Sequence, residues 1–296
     1  MAVDERLRPR SAASLAALLA PCLVVLGLLV AAYAVFLAVG FLKPVPGSAD
    51  VAGPPTLANY AKFASDPAYW EILWRTVWFA ALVALAAAVI GYPLAYAIAR
   101  TESALLRRLL IAAVVGTFLS GSVTRAYGWL VILGNRGLLN GLMLALGLRE
   151  QPLQMVFNHT GVFVALLHFV APFFVLTLVG TVRNVPRSLE DAARNLGAGA
   201  WTAFRRVTLP LTLPGIVAGM TLCFGLGLSA FLFPLMLGGG RVRLMASFIY
   251  EEIFVSFNLP FAAATSAIFL ACALALLVAF NALQGAIGRR PGRAAT

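Results

Sequence analysis

Two histidines and three cysteines are the residues of this sequence whose side chains most readily bind a metal ion or form a disulfide. His159 and His168 lie nine residues apart, which on one helix places them about 180° apart around the axis. They cannot share a metal ion from that helix, and we interpret them as polar residues of a helix bundle. Cys22, Cys223 and Cys272 lie in apolar stretches, so we predict buried free thiols and neither a disulfide framework nor a zinc site.

The motifs that would let this chain hydrolyse ATP or a peptide bond are missing from the sequence. A phosphate-binding P-loop needs a Gly-Lys step before Ser or Thr, but the two lysines follow Leu42 and Ala61. No Gly-x-Ser-x-Gly elbow and no His-Glu-x-x-His zinc motif occurs. We therefore predict that this polypeptide is not an enzyme on its own and carries no metal and no cofactor.

The composition is that of a membrane protein. The chain has 296 residues, of which 61% are hydrophobic and 11% are charged, whereas an average soluble domain carries roughly 25% charged residues. This excludes a soluble globular domain, a disordered chain and a small disulfide scaffold. We predict an all-α, polytopic membrane protein with six transmembrane helices.

The elements that must position any functional residue are the apolar segments between charges. Each is long enough to cross a bilayer, which takes about 20 residues. The first is too long for a signal-peptide core and is predicted to remain as a signal anchor. One transmembrane domain, 11–288, would lie between an N-terminal tail, 1–10, and a C-terminal tail, 289–296. The six predicted spans are about 14–42, 75–99, 109–133, 157–182, 208–237 and 259–287.

The basic residues predict the orientation of the spans. With a cytoplasmic N-terminus, the inside segments hold 14 of the 22 Lys and Arg residues and the outside segments hold 7. The positive-inside rule therefore favours both termini in the cytoplasm. Topology explains most of the net charge of +11, so no nucleic acid partner is needed.

Charge is scarce inside the predicted spans. No Asp, Glu or Lys lies deep in them, which argues against an ion-coupled carrier, because such carriers keep these groups near the midplane. Arg125 is the one charge near a span interior: it could line a solute path, or it could extend to the outer interface, and we favour the structural role. Trp129 and Phe231 are further candidates for a solute path, with packing as the alternative. Gly215 and Gly219 favour close helix packing, within the chain or against a partner.

The inside segment 183–206 contains a predicted short helix of about eight residues. Ser188 is its candidate N-cap, and Gly197 is a natural stop. The spacing of its apolar residues places them on one face of the helix; these are Leu189, Ala192, Ala193 and Leu196. Such a face could dock into a groove of another protein or fold back on its own bundle, and periodicity favours neither.

These residues carry a family resemblance. Asp191-Ala192-Ala193, three residues, Gly197, nine residues and then Val207-Thr208-Leu209-Pro210 are similar to the Glu-Ala-Ala (EAA) motif of ABC importer permeases. Either Asp191 or the preceding Glu190 could take the place of the motif's glutamate. The resemblance implies a cytoplasmic coupling helix between spans four and five, seated in an ATPase subunit. The residues implied to couple to the ATPase are Glu190, Asp191, Ala192, Ala193, Leu196 and Gly197.

Further segments resemble spermidine/putrescine-type permeases over about residues 70–285. The order of these segments resembles that of the first of the two permease subunits in such systems. They are Gly91–Tyr96, Arg125–Trp129, Gly137–Asn140 and Leu237–Gly240. This implies the transmembrane subunit of an ATP-driven importer in a bacterial inner membrane, forming half of the path for a polyamine or a related opine- or amine-type solute. The implied partners are a second homologous permease, two ATP-binding subunits and an extracytoplasmic solute-binding protein. The alternatives are a self-contained ion-coupled carrier or channel and a noncatalytic membrane scaffold.

Overall fold

The computed structural model describes residues 12–45 and 53–288, and every regular element in these ranges is a helix. One isolated β-bridge joins Leu42 to Pro55. A π-helix, Phe204–Thr208, lies between the ninth and tenth α-helices. The α-helices are α1 (Ala12–Val39), α2 (Ala58–Ser65), α3 (Pro67–Arg100), α4 (Ala104–Leu119), α5 (Ser122–Leu133), α6 (Leu138–Ala145), α7 (His159–Arg183), α8 (Arg187–Asn195), α9 (Ala200–Ala203), α10 (Leu209–Ser229), α11 (Leu232–Leu237), α12 (Met245–Phe254) and α13 (Leu259–Gly288).

Five helices in the described ranges are long and apolar enough to cross a membrane: α1, α3, α7, the continuous helix formed by α9, the π-helix and α10, and α13. A sixth span results if α4 and the bent segment that follows it, Ser122–Ala145, count as one. The predicted all-α membrane fold is confirmed. The predicted tails, 1–10 and 289–296, lie outside the described residues.

The third predicted span, 109–133, is not one helix. It is broken between Leu119 and Ser122, where the chain turns by 100°. The Ser120 hydroxyl donates to the Thr117 carbonyl at 2.9 Å, a local bond that competes with continued helix, and Gly121 begins the next helix with no side-chain cap. A search for uncharged runs cannot detect this break, because its residues are polar and uncharged.

The fifth predicted span, 208–237, also ends early. Its helix stops at Ser229, because Ala230 has an extended backbone with φ −72° and ψ 110°, and a short helix, α11, follows. At this end the Ser229 hydroxyl donates to the Leu226 carbonyl at 3.1 Å and the Ala230 amide to the Gly227 carbonyl at 3.4 Å, so local groups satisfy two of the last carbonyls. Hydropathy alone does not report such an ending.

Packing divides the chain into two compact units, one formed by the described residues up to Ser65 with Glu252–Ile268 and the other by Asp66–Glu251 with the residues from Phe269 onward. In the first, the Asn59 amide donates to the carbonyls of Gly40 and Leu42 at 2.9 and 2.8 Å. The prediction of a single transmembrane domain stays a prediction.

The second unit is built around α3, α7 and α10. The buried Phe174 ring of α7 lies between two glycines, Gly91 of α3 and Gly219 of α10. A Cβ atom on either glycine would lie 2.7 or 2.8 Å from a ring carbon, which is closer than van der Waals contact allows. Gly215 packs in the same way on Thr181 of α7. Gly215 and Gly219 therefore serve packing within this chain.

The cysteines only partly match the prediction of buried thiols. All three are free, as predicted, and Cys223 is buried, with its thiol donating to the Val170 carbonyl at 3.4 Å. Cys272 is half-buried and Cys22 is exposed. The prediction was wrong for Cys22, because nothing in the apolar part of α1 from Leu19 onward is buried within the described chain.

We expect Gly219→Ala to destabilise the protein, because its methyl group would press on the enclosed Phe174 ring, and overpacking of this kind costs about 1–3 kcal/mol. Gly225→Ala is the matched control on the same helix, since a Cβ at Gly225 meets no atom within 4 Å. Thermal unfolding in detergent should show a lower midpoint for Gly219→Ala only. Equal midpoints for both variants would contradict the close packing.

Candidate functional site

The segment between α7 and α10 contains the predicted short helix as α8, nine residues long. Its start differs from the prediction: Pro186 occupies the N-cap position without a side-chain hydrogen bond, and Ser188 lies in the first turn. Its end agrees with the prediction. Gly197 has a left-handed φ of +87°, and its amide and that of Ala198 donate to the carbonyls of Arg194 and Ala193 at 2.9 and 3.1 Å, a Schellman ending that favours glycine.

One buried carboxylate joins three segments of this region. Glu190 of α8 is 7% exposed, and its Oε1 accepts from Nη2 of Arg100, the last residue of α3, at 2.6 Å. The Thr208 hydroxyl, at the end of the π-helix, donates to the same oxygen at 2.8 Å. The Tyr96 hydroxyl donates to Oε2 at 3.4 Å. The carboxylate therefore fixes α8 to the end of α3 and to the start of α10.

Further bonds fasten α8 to the end of α3. Arg100 also donates through Nη1 to the Val185 carbonyl at 3.0 Å. Arg187 donates to the Glu102 carboxylate at 2.9 Å and to the backbone carbonyl of Arg100. Buried charges are tolerated when they are paired and hydrogen-bonded, as Glu190 and Arg100 are here.

Aromatic rings form the other half of this connection. Phe204, in the π-helix, packs edge-on against Tyr92 and Tyr96 of α3, with ring centroids 5.6 and 5.5 Å apart, and Trp201 stacks on it at 5.3 Å. The Tyr92 hydroxyl lies 3.0 Å from the Thr212 hydroxyl of α10. A cavity of about 440 Å³ opens beside these rings. The rings and the ion pair together hold α3, α8 and α10 in one arrangement.

The opposite side of the same segment is exposed and partly apolar. Leu196 is 90% and Trp201 69% exposed, and Leu189 and Ala192 are exposed as well. Asp191 is exposed, whereas the neighbouring Glu190 is the one buried residue of α8. Within the described chain, the predicted apolar face is therefore not folded back on the bundle. The residue that faces the bundle is an acid, and apolar periodicity gave no signal for it.

The three residues predicted for a solute path lie in different surroundings. Arg125 is 8% exposed and donates to the Thr117 and Ser120 carbonyls at the end of α4; these contacts agree with the favoured structural role, and its position relative to the membrane interface stays a prediction. Trp129, one turn later, donates to Nδ1 of His168 at 3.1 Å. Phe231 precedes α11 and stacks on the Tyr250 ring at a centroid distance of 5.3 Å.

We expect Glu190→Gln to destabilise the protein by about 3 kcal/mol or more, because it leaves the buried Arg100 without a counter-charge. Asp191→Asn is the control one residue away, and an exposed substitution of this kind should stay within about 0.5 kcal/mol. Thermal unfolding of both variants in detergent measures the difference. Similar losses of stability in both, or in neither, would show that the ion pair does not anchor α8.

Comparison with known proteins agrees with this architecture. The profile of a family described as binding-protein-dependent transport system inner membrane component matches residues 14–293. The spermidine/putrescine transport system permease protein PotB of Haemophilus influenzae is 34% identical over 242 residues, covering 82% of this chain and 83% of the relative. PotB of Escherichia coli is 33% identical over 211 residues, covering 71% of this chain and 76% of that protein. The resemblance stated from the motifs is thus confirmed.

Solved structures show the same fold. A bacterial ABC transporter involved in the import of the acidic polysaccharide alginate contains a chain with a TM-score of 0.78 at 17% identity, covering 92% of this chain and 95% of that one. The MetNI methionine ABC transporter gives a TM-score of 0.57 at 18% identity, covering 75% and 99%. The profile match and the identity to the PotB proteins show that this chain belongs to the family of inner membrane components of binding-protein-dependent transport systems.

Proposed function

We propose that this chain is the transmembrane subunit of an ATP-driven importer and forms half of the path for a small solute. The observation that carries the proposal is the two-sided character of the 187–204 segment. The side that faces the helix bundle is fixed by the buried Glu190. On the opposite side, Leu196 and Trp201 are exposed to solvent. A fixed helix that presents apolar side chains to solvent fits a groove of a partner protein.

In this proposal α8 is the coupling helix, and its two acids have different roles. Glu190 anchors α8 to α3 and to the π-helix. Asp191 points away from the bundle and is the acid that meets the ATPase subunit, together with Ala192, Ala193, Leu196 and Gly197. The burial of Glu190 thus supports Asp191 as the counterpart of the motif's glutamate.

The same contacts offer a route for transmitting movement. A push on α8 reaches the end of α3 through Arg100 and the start of α10 through Thr208. Both helices meet again at Phe174, deeper in the bundle. Because packed helices move as rigid bodies, closure of the ATPase dimer would tilt α3 and α10 together.

The proposal places the chain in a bacterial inner membrane with both termini and α8 on the cytoplasmic side, in accord with the excess of basic residues there. Its partners are the lipid bilayer, a second homologous permease, two ATP-binding subunits and an extracytoplasmic solute-binding protein. ATP is hydrolysed by those subunits and not by this chain. The relatives named for spermidine and putrescine transport support a polyamine, or a related opine- or amine-type compound, as the solute.

The test of the assembly is purification of the tagged chain from its native membrane in a mild detergent, followed by mass spectrometry of the proteins that accompany it. We expect an ATP-binding subunit and a second permease. Uptake of radiolabelled spermidine should require this chain and should stop when cellular ATP is depleted. A chain that purifies alone, with uptake that continues on an ion gradient, would instead support a self-contained carrier.

We expect Leu196→Glu to weaken binding of the ATPase subunit about tenfold or more, because losing a central, well-packed interface residue costs about 2 kcal/mol or more and about 1.4 kcal/mol is tenfold. Leu148→Glu is the matched control, since Leu148 is also an exposed leucine in a connecting segment but lies outside the α7–α10 connection. Titration of the reconstituted permease with ATPase subunit measures both affinities. Equal affinities would exclude Leu196 from the docking face.

A further inference from the structure

The cavity beside Tyr92 and Phe204 has a lining that suits a ligand with an anionic part and an apolar part. We propose that it binds the headgroup of an anionic phospholipid of the cytoplasmic leaflet, with the phosphate of the lipid paired to Arg194 and its acyl chains lying along α3. The inference rests on the proposed function, from which it takes the orientation of this chain. It makes a bound lipid part of the connection between α3, α8 and α10.

One cation and four aromatic rings line the cavity. Among the described residues that line it, Arg194, in the last turn of α8, is the only charged one. The rings are those of Tyr92 and Tyr96 of α3, Trp201 of α9 and Phe204 of the π-helix. The volume of about 440 Å³ is within the range of about 300–1,000 Å³ that is typical of ligand sites. Apolar walls with a single cation match an amphiphilic anion.

The guanidinium of Arg194 is available for such an anion. Arg194 is exposed, and within the described part of the chain no salt bridge engages its side chain. The nearby Arg100 and Arg187 differ, because each is paired with a glutamate. A guanidinium presents a planar fork of donors that fits a phosphate group. Its charge also repels a cationic ligand, so a transported amine does not suit this cavity.

The cavity lies at the level where lipid headgroups meet acyl chains. In the proposed orientation, α3 leaves the membrane on the cytoplasmic side at its last residue, Arg100. Tyr96 precedes Arg100 by four residues and Pro93 precedes it by seven, which is about 6 and 10 Å along a helix. The headgroup region is about 5–8 Å thick on each side of a bilayer. Tyrosine and tryptophan rings are typical of this level.

An exposed apolar stripe leads from the cavity along α3. Leu85, Val89 and Pro93 are spaced four residues apart and therefore lie on one face of the helix, and all three are exposed. Pro93 also lines the cavity. A phospholipid with its phosphate at Arg194 can place its acyl chains along this face, toward the membrane interior. A soluble anion would leave the stripe and the aromatic walls without a contact, which favours a lipid as the source of the phosphate.

The charge around the cavity favours an acidic lipid over a neutral one. Arg205 and Arg206 of the π-helix are both exposed on the same segment. Basic residues at the cytoplasmic surface attract anionic lipids, and basic pockets between membrane helices on that side bind their headgroups. Arg205 and Arg206 would raise the local concentration of such lipids, while Arg194 contacts the bound one.

The test is photo-crosslinking of the protein purified from its native membrane, with the subunits that accompany it, in phosphatidylcholine nanodiscs. The probe is phosphatidylglycerol with a diazirine near the glycerol end of one acyl chain, and phosphatidylcholine with the same group is the parallel probe. Crosslinked residues are identified by mass spectrometry. We expect the phosphatidylglycerol probe to label Pro93 or Trp201, and unlabelled phosphatidylglycerol to suppress this labelling. Unlabelled phosphatidylcholine and inorganic phosphate should not suppress it.

Arg194→Gln should weaken binding of the phosphatidylglycerol probe about fivefold, which is about 1 kcal/mol, the loss expected for one cation near anionic lipid. Arg183→Gln is the matched control, because Arg183 is an exposed arginine in the last turn of α7 that does not line the cavity; it should label like the parent. Ala200→Phe fills the cavity without changing its charge and should also lower labelling. This variant decides the question if Arg194→Gln fails to fold.

Three results would overturn the proposal. Equal labelling by both probes, or parent-level labelling of a folded Arg194→Gln or Ala200→Phe variant, would show ordinary contact with surrounding lipid. Suppression by inorganic phosphate would show a site for a soluble anion. Labelling only after removal of an accompanying ATPase subunit would show that this subunit occupies the cavity. Labelling does not require transport, so its outcome is independent of the uptake and co-purification experiments that test the importer function.

Discussion

The enclosed ring of Phe174 sets how closely α3, α7 and α10 pack in the second unit. Gly91 of α3 and Gly219 of α10 contact the two sides of this ring. Because any larger side chain would clash with the ring, α3 and α10 can approach α7 this closely only at these glycines. This fixes the distance and the rotation of α3 and α10. Arg100 lies nine residues after Gly91, and Thr208 lies eleven residues before Gly219. Both side chains reach the carboxylate of Glu190. The ion pair is a consequence of the packing above it.

The ion pair in turn explains how a polar connection stays ordered at the edge of an apolar bundle. Burying a carboxylate and a guanidinium adds little net stability, because desolvation offsets most of their attraction. In the position that α8 takes, Glu190 has its hydrogen-bond partners while Leu196 stays exposed.

The sequence predicted what depends on local composition and spacing, and missed what depends on tertiary contact. Runs of uncharged residues predicted the spanning helices, and motif spacing predicted α8 and its end at Gly197. The break at Ser120 and Gly121 was missed because its residues are uncharged, and the carbonyls it frees are satisfied by Arg125 from the next helix. The burial of Glu190 was missed because its partners lie 90 and 18 residues away.

The π-helix at Phe204–Thr208 explains in geometric terms why the spacing between the Gly and Pro residues of the motif matters. A π-turn accommodates one more residue than an α-turn. The number of residues between Gly197 and Pro210 therefore determines the direction in which each side chain points, as well as the length of the connection. Removing or adding one residue there would rotate Thr208 by about 100° and shift it by about 1.5 Å, away from the carboxylate of Glu190. The nine-residue interval before Val207 therefore fixes how α10 is rotated relative to α8, and the constant spacing in the sequence motif reflects this requirement.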